Sequence, residues 1–309
     1  MRYIFFGSSV FSSIVLEELC ESNILPTLVV SQPDKPKGRG LKVSSTPLSD
    51  FATKKSFPLI KPISFKDKEI ENILKEKDVE FFIVVDYGKI LPLFILKIPK
   101  IFPLALHPSL LPRYRGPAPI NWVLINGENT TGITIFRINE KIDSGEIISQ
   151  REISITNLDN NISLYYKLAK EGANLLKETL KKIVEGNFEL KPQDENLASF
   201  APKLTKNDGR IFWEKSALSI KNLIRGTLGW PSAYTYYKGK LLKILDVDIS
   251  QEKIEAIPST IVKIDKEGIY VATGEGILKI KKVQPQDKKV MDAYQFVLGY
   301  RLKLGEKFS

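Results

Sequence analysis

A chain of 309 residues with 43% apolar and 27% charged residues fits about two soluble domains of roughly 100 to 200 residues each, and no run approaches the roughly 18 apolar residues of a membrane span. One cysteine and one histidine exclude an internal disulfide and make a zinc site improbable. The formal charge of +10 is uneven, with 19 Lys/Arg against 12 Asp/Glu in residues 206–309 and 27 against 24 before them. That is either the footprint of a polyanionic partner, nucleic acid first, or a lysine-rich surface that only aids solubility.

In chain order, residues 3–6, 26–30, 81–85 and 104–106 read as short buried strands, and residues 10–20, 44–55 and 67–77 between them as helices by apolar spacing. The start is apolar but too short for a signal peptide, and no cleavage pattern follows, so a cytoplasmic protein is expected. Cys20 falls on the first helix as a packed thiol. Strands alternating with helices predict an α/β fold with a parallel sheet and a site at the carboxyl ends of its strands. Residues 132–139 and 146–155 then read as strands around a turn at Asp143, and residues 163–185 as a long helix. Residues 187–208 lose periodicity and collect prolines. The expected division is therefore a domain over 1–189, a linker over 190–207 and a basic domain over 208–309. In that last part Ser216 caps a helix, and strands at 234–237, 241–247, 260–264, 269–272 and 277–283 are separated by Gly-containing turns. So many short strands predict a small barrel of the oligonucleotide-binding type.

His107, the one histidine, follows a strand end and is the one unperturbed candidate for proton chemistry near neutral pH. Asp143 also follows a strand in the same domain. A carboxylate beside an imidazole orients the ring, and the ring can then serve an oxygen that becomes negative during reaction. Taken singly, each residue also has a structural reading, the histidine as a packed side chain and the aspartate as a turn former. The stretch Ser109, Leu110, Leu111 and Pro112 offers a rigid apolar wall for a flat ligand, or a purely structural loop. Lys35, Lys37, Arg39 and Lys42 put four cations into one Pro- and Gly-rich loop, suited to phosphates or simply solvated. No GxGxxG or phosphate-binding loop occurs, so a dinucleotide cofactor is not expected.

Along nearly its whole length the chain resembles the methionyl-tRNA formyltransferase family. The resemblance rests on Phe5-Phe6-Gly7, the run from Ser31 to Gly40, Tyr87 through Pro92, His107 through Ile120, Thr131 through Ile135, Asp143-Ser144-Gly145 and Ala201-Pro202-Lys203. Asp208 through Ile211, Asn222 through Gly226 and Gly299 through Leu302 extend it. It implies a Rossmann-like formyl-transfer domain followed by an OB-like β-barrel that helps hold tRNA. The implied formyl donor is 10-formyltetrahydrofolate, and the implied acceptor is the α-amino group of methionine on a charged initiator tRNA. No metal is implied, and a monomer suffices. His107 is implied as oxyanion partner and proton relay, Asp143 as its orienting carboxylate, Ser109 to Pro112 and Leu91 as folate contacts, and Arg39 with Lys37 and Lys42 as tRNA contacts.

Two positions depart from the pattern. Ala105 stands where the family motif implies an asparagine, and Asp86 stands where a small apolar residue is usual. An exchange in which Asp86 supplies part of the missing polar group is one reading. Two alternatives to the main assignment stay open: a sugar N-formyltransferase, and a tRNA-binding protein with lost or reduced catalysis.

Overall fold

The computed structural model describes residues 1–37 and 42–309. In chain order the elements are β1 (Tyr3–Gly7), α1 (Val10–Glu21), β2 (Leu28–Val30), β3 (Lys35–Lys37), β4 (Lys42–Ser44), α2 (Pro47–Lys54), β5 (Leu59–Ile60) and α3 (Lys68–Glu76). Next come β6 (Phe81–Val85), α4 (Leu93–Leu96), β7 (Phe102–His107), α5 (Pro119–Ile125), β8 (Thr130–Arg137), β9 (Ile147–Ser154) and α6 (Asn161–Val184). The last are α7 (Ala217–Thr227), β10 (Tyr234–Tyr237), β11 (Lys240–Ser250), β12 (Ile261–Asp265), β13 (Gly268–Ala272), β14 (Ile277–Pro285), β15 (Met291–Asp292) and α8 (Ala293–Tyr300). They fall into two compact units, one of residues 1–119, 130–154 and 165–201, the other of 120–129, 155–164 and 202–309.

The first unit is built on a sheet of order β5-β2-β1-β6-β7-β8-β9. The pairs from β5 to β7 are parallel, and β8 and β9 are added antiparallel. All five residues of β1 are buried, as a strand covered on both faces must be. On one side Phe6, Phe82, Leu28 and Val30 pack with Phe65, Leu74, Tyr87 and Leu91. Gly7 ends β1 where a Cβ would lie 2.5 Å from the Ser12 side chain and 2.8 Å from the Val85 carbonyl. That leaves room for α1 to start at once, with Ser9 and Ser12 satisfying each other's backbone N–H groups.

The strands expected from periodicity are present, with shifted ends. Residue 44 belongs to β4 rather than to a helix, because Thr46 caps α2 and Pro47 occupies its first turn. β3 and β4 form a hairpin in which Lys37 opposes Lys42. Arg39 lies outside the described residues.

The second unit carries an antiparallel sheet of order β10-β11-β14-β13-β12, with β15 beside β14. Ile244, Val271, Leu278, Ile280 and Val283 fill its interior together with α7 and α8. Ser216 caps α7 as the sequence predicts, its hydroxyl accepting from the Ser219 N–H. Residues 305–309 bond Ile261 and Ser259 at one edge and Tyr236 at the other. This segment joins the free edges of β12 and β10, so the sheet closes into a barrel without a regular seam strand.

Candidate active site

β7 delivers His107 to the carboxyl end of the parallel strands, opposite Thr134 of β8. The residue is 6% exposed. Its Nε2 lies 2.9 Å from the Tyr114 carbonyl oxygen. A carbonyl only accepts, so this nitrogen carries the proton in that contact. Nδ1 is left as the site for a mobile proton, and it faces Asp143 Oδ2 at 3.7 Å. That separation is longer than a direct hydrogen bond, so the pair attracts as ions when the ring holds its second proton. The same Oδ2 accepts the Gly116 N–H at 2.7 Å. The structure therefore brings together the two side chains that the sequence suggested as a pair.

Tyr114, whose carbonyl meets the ring, and Asp143 both sit on strained backbone. Tyr114 has φ of +60° and Asp143 of +49°, in the left-handed region that costs a non-glycine residue roughly 1–3 kcal/mol. The surrounding contacts hold them there. Asp143 lies on the β8–β9 turn. Gly145 of that turn sits so close to Arg137 that a Cβ would be 1.6 Å from its carbonyl oxygen. Gln193 Nε2 donates to the carbonyl oxygens of Asp143 and Gly145 at 2.9 and 2.8 Å.

The 109–112 stretch is fixed from below. Thr134 Oγ1 donates to the Ser109 carbonyl at 2.7 Å and accepts from the Leu111 N–H at 3.1 Å. Gln150 Nε2 donates to the Leu111 carbonyl at 2.8 Å. Ser109 is fully buried and spends its hydroxyl on the Arg113 carbonyl. Leu110 packs over Gly132, where a Cβ would come within 2.4 Å of it. What this wall offers a ligand is thus a rigid backbone more than polar side chains. Leu91 is buried in the apolar cluster with Tyr87 and Ile95. The Tyr87 hydroxyl has no hydrogen-bond partner, and burial pushes its ionisation above the usual tyrosine range.

Ala105 lies two residues before His107, so strand alternation turns both side chains to one face. It pairs with Val84 of β6. Asp86 follows β6 by one residue, exposed and with φ of +45°. Among the described residues, no group of three or more His, Cys, Asp or Glu side chains is placed to hold a metal ion.

Sequence reasoning did not single out Thr134, Gln150 or Gln193. Gln193 is 50 residues from Asp143 and 78 from Arg115 in the chain, and it lies in the aperiodic stretch, so no local pattern marks it.

The Formyl transferase family matches residues 1–180, and the family Formyl transferase, C-terminal domain, matches residues 203–301. The chain is 41% identical to a methionyl-tRNA formyltransferase of Sulfurihydrogenibium sp., over 100% of both chains. It is 44% identical to one of Thermodesulfovibrio yellowstonii, over 99% of this chain and 98% of that one. Among solved structures it is similar to WlaRD, a sugar 3N-formyl transferase in the presence of dTDP and 5-N-formyl-THF, with TM-score 0.68, 18% identity and coverage of 94% and 99%. It is also similar to HypX from Aquifex aeolicus in complex with tetrahydrofolic acid, with TM-score 0.63 and 17% identity over 99% of this chain. The chain spans about half the length of HypX, 48%. At these identities the solved structures speak for the fold. The end-to-end sequence matches carry further: the chain belongs to the methionyl-tRNA formyltransferase family.

Proposed function

We propose that the chain transfers a formyl group from 10-formyltetrahydrofolate to the α-amino group of methionine on a charged initiator tRNA. The observation that carries this reading is the His107–Asp143 pair at 3.7 Å beside a rigidly held 109–112 backbone. In the reaction the amine nitrogen bonds to the formyl carbon and the carbonyl electron pair moves to oxygen, giving a tetrahedral oxyanion. Collapse breaks the bond from that carbon to folate N10; the amine loses a proton and N10 gains one. His107 stabilises the oxyanion and relays the proton, and Asp143 orients the ring and balances its charge. The backbone of Ser109 to Pro112 and the side chain of Leu91 hold the folate. Lys37, Arg39 and Lys42 meet the tRNA acceptor end. The protein acts as a cytoplasmic monomer. Among the described residues, no helix is long and apolar enough to cross a membrane.

The test is formylation of charged initiator tRNA with 10-formyltetrahydrofolate, run beside a nucleotide-linked amino sugar as acceptor. Formyl-methionyl-tRNA is the expected product, and product from the amino sugar alone sinks the reading. One observation favours a second reading: Ala105 offers only a methyl beside His107. Tight tRNA binding without product identifies the chain as a tRNA-binding protein whose catalysis has been lost.

A further inference from the structure

We infer that Gln193 is a positioning residue for the formyl transfer proposed above, locking the Asp143 turn to the loop that follows His107. Its amide is used at both ends. Nε2 donates to two carbonyl oxygens of the Asp143 turn, and Oε1 accepts from Arg115 Nε at 3.1 Å and Nη2 at 2.8 Å. Carbonyls only accept and a guanidinium only donates. A neutral amide satisfies both sides at once, whereas a carboxylate would face the two carbonyls without a proton and an ammonium would face Arg115.

Arg115 is the neighbour of both residues that touch the catalytic pair through their backbone, Tyr114 on His107 and Gly116 on Asp143. It is 3% exposed, and two further donors, on Nη1 and Nη2, go to the two oxygens of Glu195 at 2.9 and 2.8 Å. Its own backbone is tied to the same stretch, with the Arg115 N–H donating to Ser199 and the Ala201 N–H to Arg115. Lys191 bonds Ile147 reciprocally at the base of the turn. Residues 191–201 thus act as a clasp, and Gln193 is the part of it that reaches the turn bearing Asp143.

The test compares the wild-type chain with Gln193→Met, which loses both ends, and Gln193→Glu, which keeps the oxygen for Arg115 and loses the donor. Steady-state formylation of charged initiator tRNA gives kcat and KM, and thermal melting reports folding. Because His107 is the one histidine in the chain, its Cε1–H cross-peak in a carbon–proton NMR spectrum of the folate-free protein reports the ring directly. In both variants kcat should fall by roughly 10- to 100-fold, the penalty of a misplaced catalytic group. KM for both substrates should hold, and the His107 cross-peak should move. Gln193→Glu keeps the oxygen that faces Arg115 and so should stay folded at a lower melting temperature, and it decides the matter if Gln193→Met does not fold. A rise in KM alone, an unchanged kcat or an unmoved cross-peak overturns the inference. If the wild-type chain makes no product, the transfer reading has failed, and the cross-peak then decides the positioning by itself.

Discussion

His107 and Asp143 meet at 3.7 Å with the Gly116 N–H on the same carboxylate oxygen, so in the proposed transfer each depends on the other for its part in proton movement. We expect His107→Asn and Asp143→Asn each to lower kcat by roughly 100- to 10,000-fold. The double variant should be little worse than the more damaging single one, because groups that act as a unit do not add. Single-turnover formylation measures this, and additive losses would separate their roles. Beside them, Ala105 presents no donor to a developing oxyanion. Ala105→Asn should raise kcat, by up to roughly 100-fold if the new amide reaches that oxygen. Asp86 lies at the crest of β6 near Tyr165, whose hydroxyl is pushed up by burial first and by Asp86 in addition. Asp86→Ala should lower kcat about tenfold if Asp86 serves the reaction through a water or its own proton. An unchanged rate ends the idea of an exchange between 86 and 105. That His107 and Asp143 could meet was legible in the sequence because both residues follow strand ends in one α/β domain. Their supports were not, since Gln193, Thr134 and Gln150 are brought in only by the tertiary fold.

Among the elements, the barrel seam has a titratable lock. Glu306 Oε2 accepts the Lys303 N–H and the Tyr237 hydroxyl, both at 2.9 Å, and Oε1 faces Lys238 at 3.0 Å. The backbone N–H first, then Lys238 and Tyr237, hold its carboxyl down at about 2. A depressed carboxyl contributes stability that is fully present above the unfolded value of about 4.3. That contribution is lost as pH falls through about 2. Melting of the wild-type chain and Glu306→Gln should therefore differ at pH 7 and converge as pH approaches 2. A constant difference across that window would remove the lock. Phe308 adds to the seam by stacking on Trp213 with centroids 5.7 Å apart. Period-2 and period-3.6 patterns identified the long strands and helices. They missed β3, β4, β5 and β15, too short to show a period, the short helices α4 and α5, and α8, whose apolar residues pack on the barrel.

Across the whole molecule, the excess charge of residues 206–309 is partly committed. Lys263 and Lys279 hold carboxylates of Glu252 and Glu267, and Lys281 sits between Asp246 and Asp248. Lys282, Lys288 and Lys289 are exposed on and beyond β14. If about six phosphates are contacted, affinity for charged tRNA should fall by roughly 1,000-fold between about 50 and 200 mM salt. Replacing Lys288 or Lys289 by Gln should reduce the slope by about one each. A flat salt response, measured by filter binding or fluorescence, would take tRNA away from this surface. The two-part plan was visible in the loss of periodicity after the long helix. Its use of residues 120–129 and 155–164 in the second unit was not, because such pairing leaves no local mark. The barrel closure also has a consequence for biosynthesis. Residues 305–309, which join β12 to β10, leave the ribosome after every strand they join. Until they arrive, the nascent barrel carries two open edges of the kind that pair with other chains. A chain stalled or cut just before residue 305 should be trapped by a chaperone or aggregate, even though every strand of its sheet has already been made.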